Sequence, residues 1–161
     1  MKILKHSIDL ILVLIAALSC NNSGNQTGGS SEHHLDLKKF DTSLIALFIS
    51  DEKGYMIPIE FSKSPLSEDD FLAIESLLSD GIRQYNDQHS YPISLAHRKR
   101  QYKYYINESG EKEVWVNCFC KEQSDWRSRQ VIDLDSYKCA FDTRINLSQK
   151  KCERIFVSGQ L

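Results

Sequence analysis

Residues 68–86 carry the clearest helical signal in this chain, and that signal limits what the rest can be. Phe71, Ile74, Leu78, Ile82 and Tyr85 fall on one stripe at a spacing of three and four, with Leu77 beside it. Ser67 is a good N-cap, and Glu68, Asp69 and Asp70 fill the first turn, where the helix dipole favours negative charge. These acidic residues resemble a paired carboxylate site, but the helix start explains them fully. Gly81 interrupts the pattern at a cost of up to ~1 kcal/mol, yet the apolar spacing continues past it to about Asn86. An apolar stripe of this length needs a second apolar surface to cover it.

The surface on offer is a sheet. Tyr55, Ile57, Ile59 and Phe61 alternate with more polar neighbours after the apolar run 44–49 and the turn Asp51-Glu52-Lys53-Gly54, which predicts a hairpin. We prefer this to a helix over 36–48. Pro58 cannot donate to a ladder, so its strand belongs at an edge. Beyond the helix, Tyr102, Tyr104 and Ile106 alternate. Val114, Val116, Cys118 and Cys120 form one face of the next strand, and Trp115, Asn117 and Phe119 form the other. Strands are also expected over 129–134, from Tyr137 to Leu147, and over 152–158. With both faces partly apolar, the 114–120 strand should be central. The sum is an α+β domain over 37–161: one amphipathic helix packed on an antiparallel sheet of four to six strands. A helix followed by a meander is similar in outline to the cystatin-like arrangement, a likeness of element order that implies no function.

The chain opens on a different chemistry. Lys2 and Lys5 precede an unbroken apolar run from Leu10 to Leu18, which ends among Ala16, Ala17 and Ser19. This is the order of a secretory signal over 1–19, and the run is about half of the ~20 residues that span a bilayer. Ala17-Leu18-Ser19-Cys20 resembles the bacterial lipobox. The usual form places Leu third before the Cys, whereas here Leu18 is second and Ala17 third. The resemblance implies cleavage before Cys20, a diacylglycerol thioether on its sulfur, and a palmitate-like acyl chain on the new amine. Several acyl chains anchor firmly where one binds only marginally. Residues 20–36 then read as a disordered tether rich in Asn, Ser and Gly, ending near His33 and His34, which we read as solvated tether and not as metal ligands.

Removing Lys2, Lys5 and Asp9 from 20 basic and 22 acidic residues leaves 18 against 21, a net of −3. Such balance argues against a general nucleic-acid binder. Setting Cys20 aside, Cys118, Cys120, Cys139 and Cys152 are an even set in an exported chain and read as disulfide candidates. Cys120–Cys139 is the favoured bridge, because both lie on clearly patterned strands. Cys118 and Cys120 also admit a redox pair or a metal site. The segment Glu113-Val-Trp-Val-Asn-Cys-Phe-Cys120, with later Cys139, looks like a pattern found in small uncharacterised lipoproteins of the Bacteroidota. That resemblance covers residues 98–161 and implies an envelope location without a known activity.

Arg98, Lys99 and Arg100 lead into an aromatic strand. The mixture is that of single-strand nucleic-acid grooves, but in an exported chain it reads as an ordinary amphipathic strand with a solvated lead-in. A binding surface for an acidic partner or lipid headgroups is the weaker reading. Trp126, among Ser124, Asp125, Arg127 and Ser128, is the better exposed binding anchor, while Trp115 reads as core. His89 and His97 lack a nucleophile in a recognisable setting, and no phosphate loop, H-E-x-x-H or G-x-S-x-G occurs. No metal or cofactor is therefore expected. The leading expectation is a non-enzymatic binding module on an outer-membrane or cell-surface lipid anchor. The partners are the membrane through Cys20 and an envelope protein or other component. The rival is a thiol-redox or metal-handling protein using Cys118 and Cys120.

Overall fold

The computed structural model describes residues 40–121, 123–132 and 138–159. The signal segment, Cys20 and the tether lie outside the described residues. The elements run β1 (Ile45–Ser50), β2 (Met56–Ile59), α1 (Glu68–Gln88), β3 (Lys99–Ile106), β4 (Lys112–Phe119), β5 (Phe141–Asn146), β6 (Lys151–Cys152) and β7 (Phe156–Val157). This is the expected α+β arrangement, with one helix packed on a sheet.

The helix forms where its apolar period and its cap agree. Ser67 Oγ accepts from the Asp70 amide at 3.1 Å, and Asp70 Oδ2 accepts from the Ser67 amide at 2.9 Å. This reciprocal cap satisfies two otherwise orphan donors and contributes about 1 kcal/mol. Phe71, Ile74, Leu78, Ile82 and Tyr85 are all buried against the sheet, as the stripe requires.

The sheet differs from the expectation in count and direction. It has seven strands in the order β2-β1-β3-β4-β5-β6, with β7 also pairing β5. All neighbours are antiparallel except β1 and β3, which run parallel with Leu47 opposite Tyr102. Parallel neighbours need a long crossover, and β2 with α1 supplies it. A periodic pattern reveals that a strand has a face, not which strand lies beside it. The position of β1 explains its unbroken apolar run. Ile45 and Leu47 pack under the helix, while Ala46 and Phe48 join a second apolar cluster with Phe119, Trp126 and Val131. β2 with Pro58 is the edge, and β4 lies between β3 and β5.

Two other expectations change. Residues 129–132 form no strand but part of a loop that crosses the face opposite the helix; residues 133–137 lie outside the described set. Of the two bridges admitted by four cysteines, one forms. Cys120 and Cys139 are bonded with their Cα atoms 6.1 Å apart, whereas Cys118 and Cys152 are free thiols. Register forbids the second bridge. Cys118 lies opposite Phe141 and Cys152 opposite Ile145, four residues further along β5, so the offset along the strand is about 13 Å, beyond the reach of a disulfide.

The helical Gly81 has a packing reason. A Cβ built there would sit 2.6 Å from Cys152 Sγ and 3.2 Å from its Cβ. Alanine would gain up to ~1 kcal/mol of helix propensity but overpack the contact by about 1–3 kcal/mol. We therefore expect Gly81→Ala to lower stability in urea denaturation. The loss should shrink when Cys152→Ala is added, and an equal loss in both backgrounds would place its origin elsewhere.

Candidate binding face

Three layers of contact decide which surfaces are left for a ligand. Beneath the helix, Arg100 is buried and donates to both Glu75 carboxylate oxygens at 2.8 and 3.0 Å. It also donates to the Tyr102 hydroxyl at 2.7 Å, and that hydroxyl donates to Glu75 at 2.5 Å. Burial pushes the Tyr102 phenol well up, while Tyr102 and Glu75 together hold the Arg100 guanidinium firmly charged against the opposing pull of burial. Arg100 is thus a core cation and not part of a binding surface. Its neighbours are engaged as well. Arg98 donates to the Ser94 carbonyl at 2.9 Å and contacts Cys120 Sγ at 2.7 Å, and Lys99 Nζ lies 5.3 Å from the Trp126 ring centroid. The three cations that are adjacent in sequence serve three separate structural contacts.

On the opposite face, residues 123–132 cover one half of the sheet. The cover is held by Gln101, which is fully buried. Its amide nitrogen donates to the carbonyls of Trp126 and Arg129, both at 2.6 Å, and its oxygen accepts from the Val131 amide at 2.9 Å and from Asn117 at 3.2 Å. A fully satisfied buried amide of this kind fixes one geometry. Arg127 ties the loop to the start of β1 by donating to the carbonyls of Ser43 at 2.6 Å and Ile45 at 3.0 Å. Trp126 is 5% exposed, edge-on to Phe119 and under Arg127. It is the core of the loop and not an exposed anchor; its polar sequence neighbours are the outer surface of a cap.

Among the described residues the loop leaves the other half of that face less covered, and here the expectations for the two tryptophans exchange. Trp115 is only partly buried, and the strand register lines it up with Lys103 on one side and Arg144 on the other. Ser50, Met56, Lys103, Tyr105, Trp115, Gln130 and Arg144 line a pocket of about 340 Å³. Asp142 accepts from the Trp115 indole N–H at 3.3 Å, and burial raises the Asp142 carboxyl despite that bond. The Arg144 side chain is exposed and makes no hydrogen bond or ion pair among the described residues, though its charge opposes the rise that burial gives the Asp142 carboxyl and the Tyr105 phenol. The sequence reading missed Lys103 and Arg144 because each is an unremarkable polar position in an alternating strand. Only the pairing of three strands makes them a row.

A larger cleft of about 640 Å³ lies between the end of α1 and β6–β7 and includes His89, Cys152 and Arg154. Part of its polar lining is engaged, although Gln84, Gln88 and Arg154 make no side-chain hydrogen bond or ion pair among the described residues. His89 Nδ1 meets the Tyr85 carbonyl at 2.8 Å with the two rings stacked, Lys151 pairs with Glu153 at 2.9 Å, and Cys152 lies 3.6 Å from Thr143 Oγ1. The smaller pocket sets the Trp115 ring beside the Arg144 guanidinium in strand register, an aromatic ring next to a cation.

The thiols do not form a reactive pair. Cys118 is fully buried, its thiol pushed up to about 12 by burial, while Cys120 is bonded to Cys139. Burial raises Cys152 as well. No group of three His, Cys, Asp or Glu side chains among the described residues is arranged to hold a metal ion. No family model matches the chain, and no curated protein or solved structure matches it.

Two measurements test this account of the site's surroundings. Glu75→Ala strands a buried guanidinium, which costs about 3–5 kcal/mol; a change below ~1 kcal/mol would mean that water reaches Arg100 freely. For Cys118 the folded thiol ionises near 12 and the unfolded one near 9.0. Its contribution to stability is full below the lower value and is lost as pH rises between the two, at up to about 1.4 kcal/mol per pH unit. Cys152 adds in the same direction, and Tyr102 joins above about pH 10. We expect Cys118→Ala to flatten the fall between pH 9 and 10 in chemical denaturation. An unchanged slope would show that the thiol is not sealed in the core.

Proposed function

We propose that this chain is a lipid-anchored envelope protein whose domain is a non-enzymatic binding module, with the open half of the sheet as its contact surface. The observation that carries the reading is the row Lys103–Trp115–Arg144: a partly exposed aromatic ring between two cations, on a face whose other half residues 123–132 cover. Core tryptophans are covered where a protein has no use for them, as Trp126 is here. A partly exposed tryptophan beside a free arginine is the composition of a recognition hot spot.

The anchor rests on the N-terminal charge, the apolar run and Cys20. The Cys120–Cys139 bridge is consistent with an exported route, since such bonds persist in oxidising compartments. No helix among the described residues is long and apolar enough to cross a membrane. The means of attachment that we propose is a lipid on Cys20. The thiol-redox alternative draws no support from a sealed Cys118 and a bonded Cys120.

Two arms test the reading. Mass spectrometry of the mature protein should find Cys20 at the N-terminus with its acyl chains; a product retaining residues 1–19, or one without fatty chains, would remove the anchor. Oxidative footprinting in intact cells against the purified chain should find Trp115 protected in the envelope and Trp126 unchanged. Equal oxidation of Trp115 in both settings would sink the binding face.

A further inference from the structure

We propose that the Lys103–Trp115–Arg144 row is a subsite for an acidic saccharide, a uronate- or sulfate-bearing unit of a glycan. This rests on the binding-module reading above and names its ligand class. The three residues lie in register on adjacent strands β3, β4 and β5. Strands lie about 4.8 Å apart, so the two cations are based about 10 Å apart with the indole between them. Trp115 is braced, because Asp142 fixes its N–H. A braced indole offers a flat apolar surface, which suits the C–H face of a pyranose ring.

The charge to be matched is negative. Among the described residues the Arg144 side chain has no hydrogen bond or ion pair, although its charge is felt by Asp142, and Lys103 Nζ donates only to the Gly54 carbonyl at 3.3 Å while lying 5.8 Å from the Tyr105 ring. The carboxylates nearby are already accepting. Asp142 takes the indole N–H, and Glu113 takes the Tyr105 hydroxyl at 2.6 Å and the Asn107 amide at 2.7 Å. Ser50 and Gln130 border the same pocket and can serve sugar hydroxyls. The pocket volume, about 340 Å³, sits at the lower end of the ~300–1,000 Å³ of small-ligand sites and fits a unit of a chain lying across the strands.

Other polyanions fit less well. A peptide that adds to a sheet pairs its backbone with an open edge, but β3 lies between β1 and β4, and β4 between β3 and β5. Their backbone groups are paired, so the face offers side chains only. A nucleic acid would find two cations on a chain of net charge −2, which is too few phosphate contacts for useful affinity at physiological salt.

Calorimetric titration of the full mature chain provides the test. The probes are a short oligouronate, a sulfated oligosaccharide, the neutral oligosaccharide of the same length, poly-glutamate and a single-stranded oligonucleotide. We expect an acidic saccharide to bind at least about tenfold more tightly than the neutral one. Lys103→Gln and Arg144→Gln should each weaken it by about tenfold. Trp115→Ala should abolish it while Trp115→Phe retains part, with thermal unfolding of Arg144→Gln unchanged. Equal binding of the neutral sugar, tighter binding of poly-glutamate or of the oligonucleotide, indifference to Arg144→Gln, or no binding of either acidic saccharide would each overturn the assignment. Protection of Trp115 in the envelope, persisting after such a result, would leave the binding face standing with a different ligand class; loss of both would remove the two together.

Discussion

A single helix can seal only one face of a sheet, and that constraint organises everything else in this domain. The stripe on α1 meets Ile45, Leu47, Tyr102, Val114, Val116, Phe141 and Ile145, and these side chains all leave their strands on one side. Each strand residue between them points the other way. A β1 that is buried at four successive positions therefore cannot be satisfied by the helix alone. The loop after β4 resolves this by folding back over Ala46, Phe48 and Phe119, held down by Gln101 and fastened at its ends by the Cys120–Cys139 bridge. Residues 123–132 reach only part of the way, and what the described residues leave uncovered is the surface that carries the functional proposal.

Buried polarity supports the same division. Beneath the helix, Glu75, Arg100 and Tyr102 form a closed set of charge-assisted bonds, and among the described residues no buried side-chain nitrogen or oxygen lacks a partner. A buried ion pair is weak evidence for stability but breaks at high cost, so its value here is in fixing how α1 sits on β3. Gln101 does the equivalent for the loop on the opposite face. Residues 100 and 101 are neighbours in sequence, and because they alternate across β3 they anchor the two opposite covers of one sheet. The Arg144 guanidinium, by contrast, makes no side-chain hydrogen bond or ion pair among the described residues and acts on its neighbours Asp142 and Tyr105 through its charge alone.

Much of the fold was legible in advance because periodicity is local. The helix, its cap, the first hairpin, the edge position of Pro58 and the central place of β4 follow from spacing within a few residues. The favoured cysteine pair also formed. Trp126 and Arg100 misled for a common reason. Both sit among polar neighbours, and polarity of the neighbours says nothing about a residue that turns inward while they turn out. The parallel pairing of β1 with β3 and the separation of Cys118 from Cys152 were out of reach because both depend on which strand lies beside which.

The amino-acid order alone determined that one helix would need a sheet, where that helix begins, and that the chain opens on an apolar stub ending at Cys20. These are properties of side chains a turn or two apart, and water sorts them without reference to the rest of the molecule. Tertiary structure alone decided that Lys103, Trp115 and Arg144 share a row, that Trp126 is sealed while Trp115 is not, and that two thiols stay unpaired. Such facts depend on register between strands far apart in sequence, which is set by the packing of the whole core and not by any segment of it.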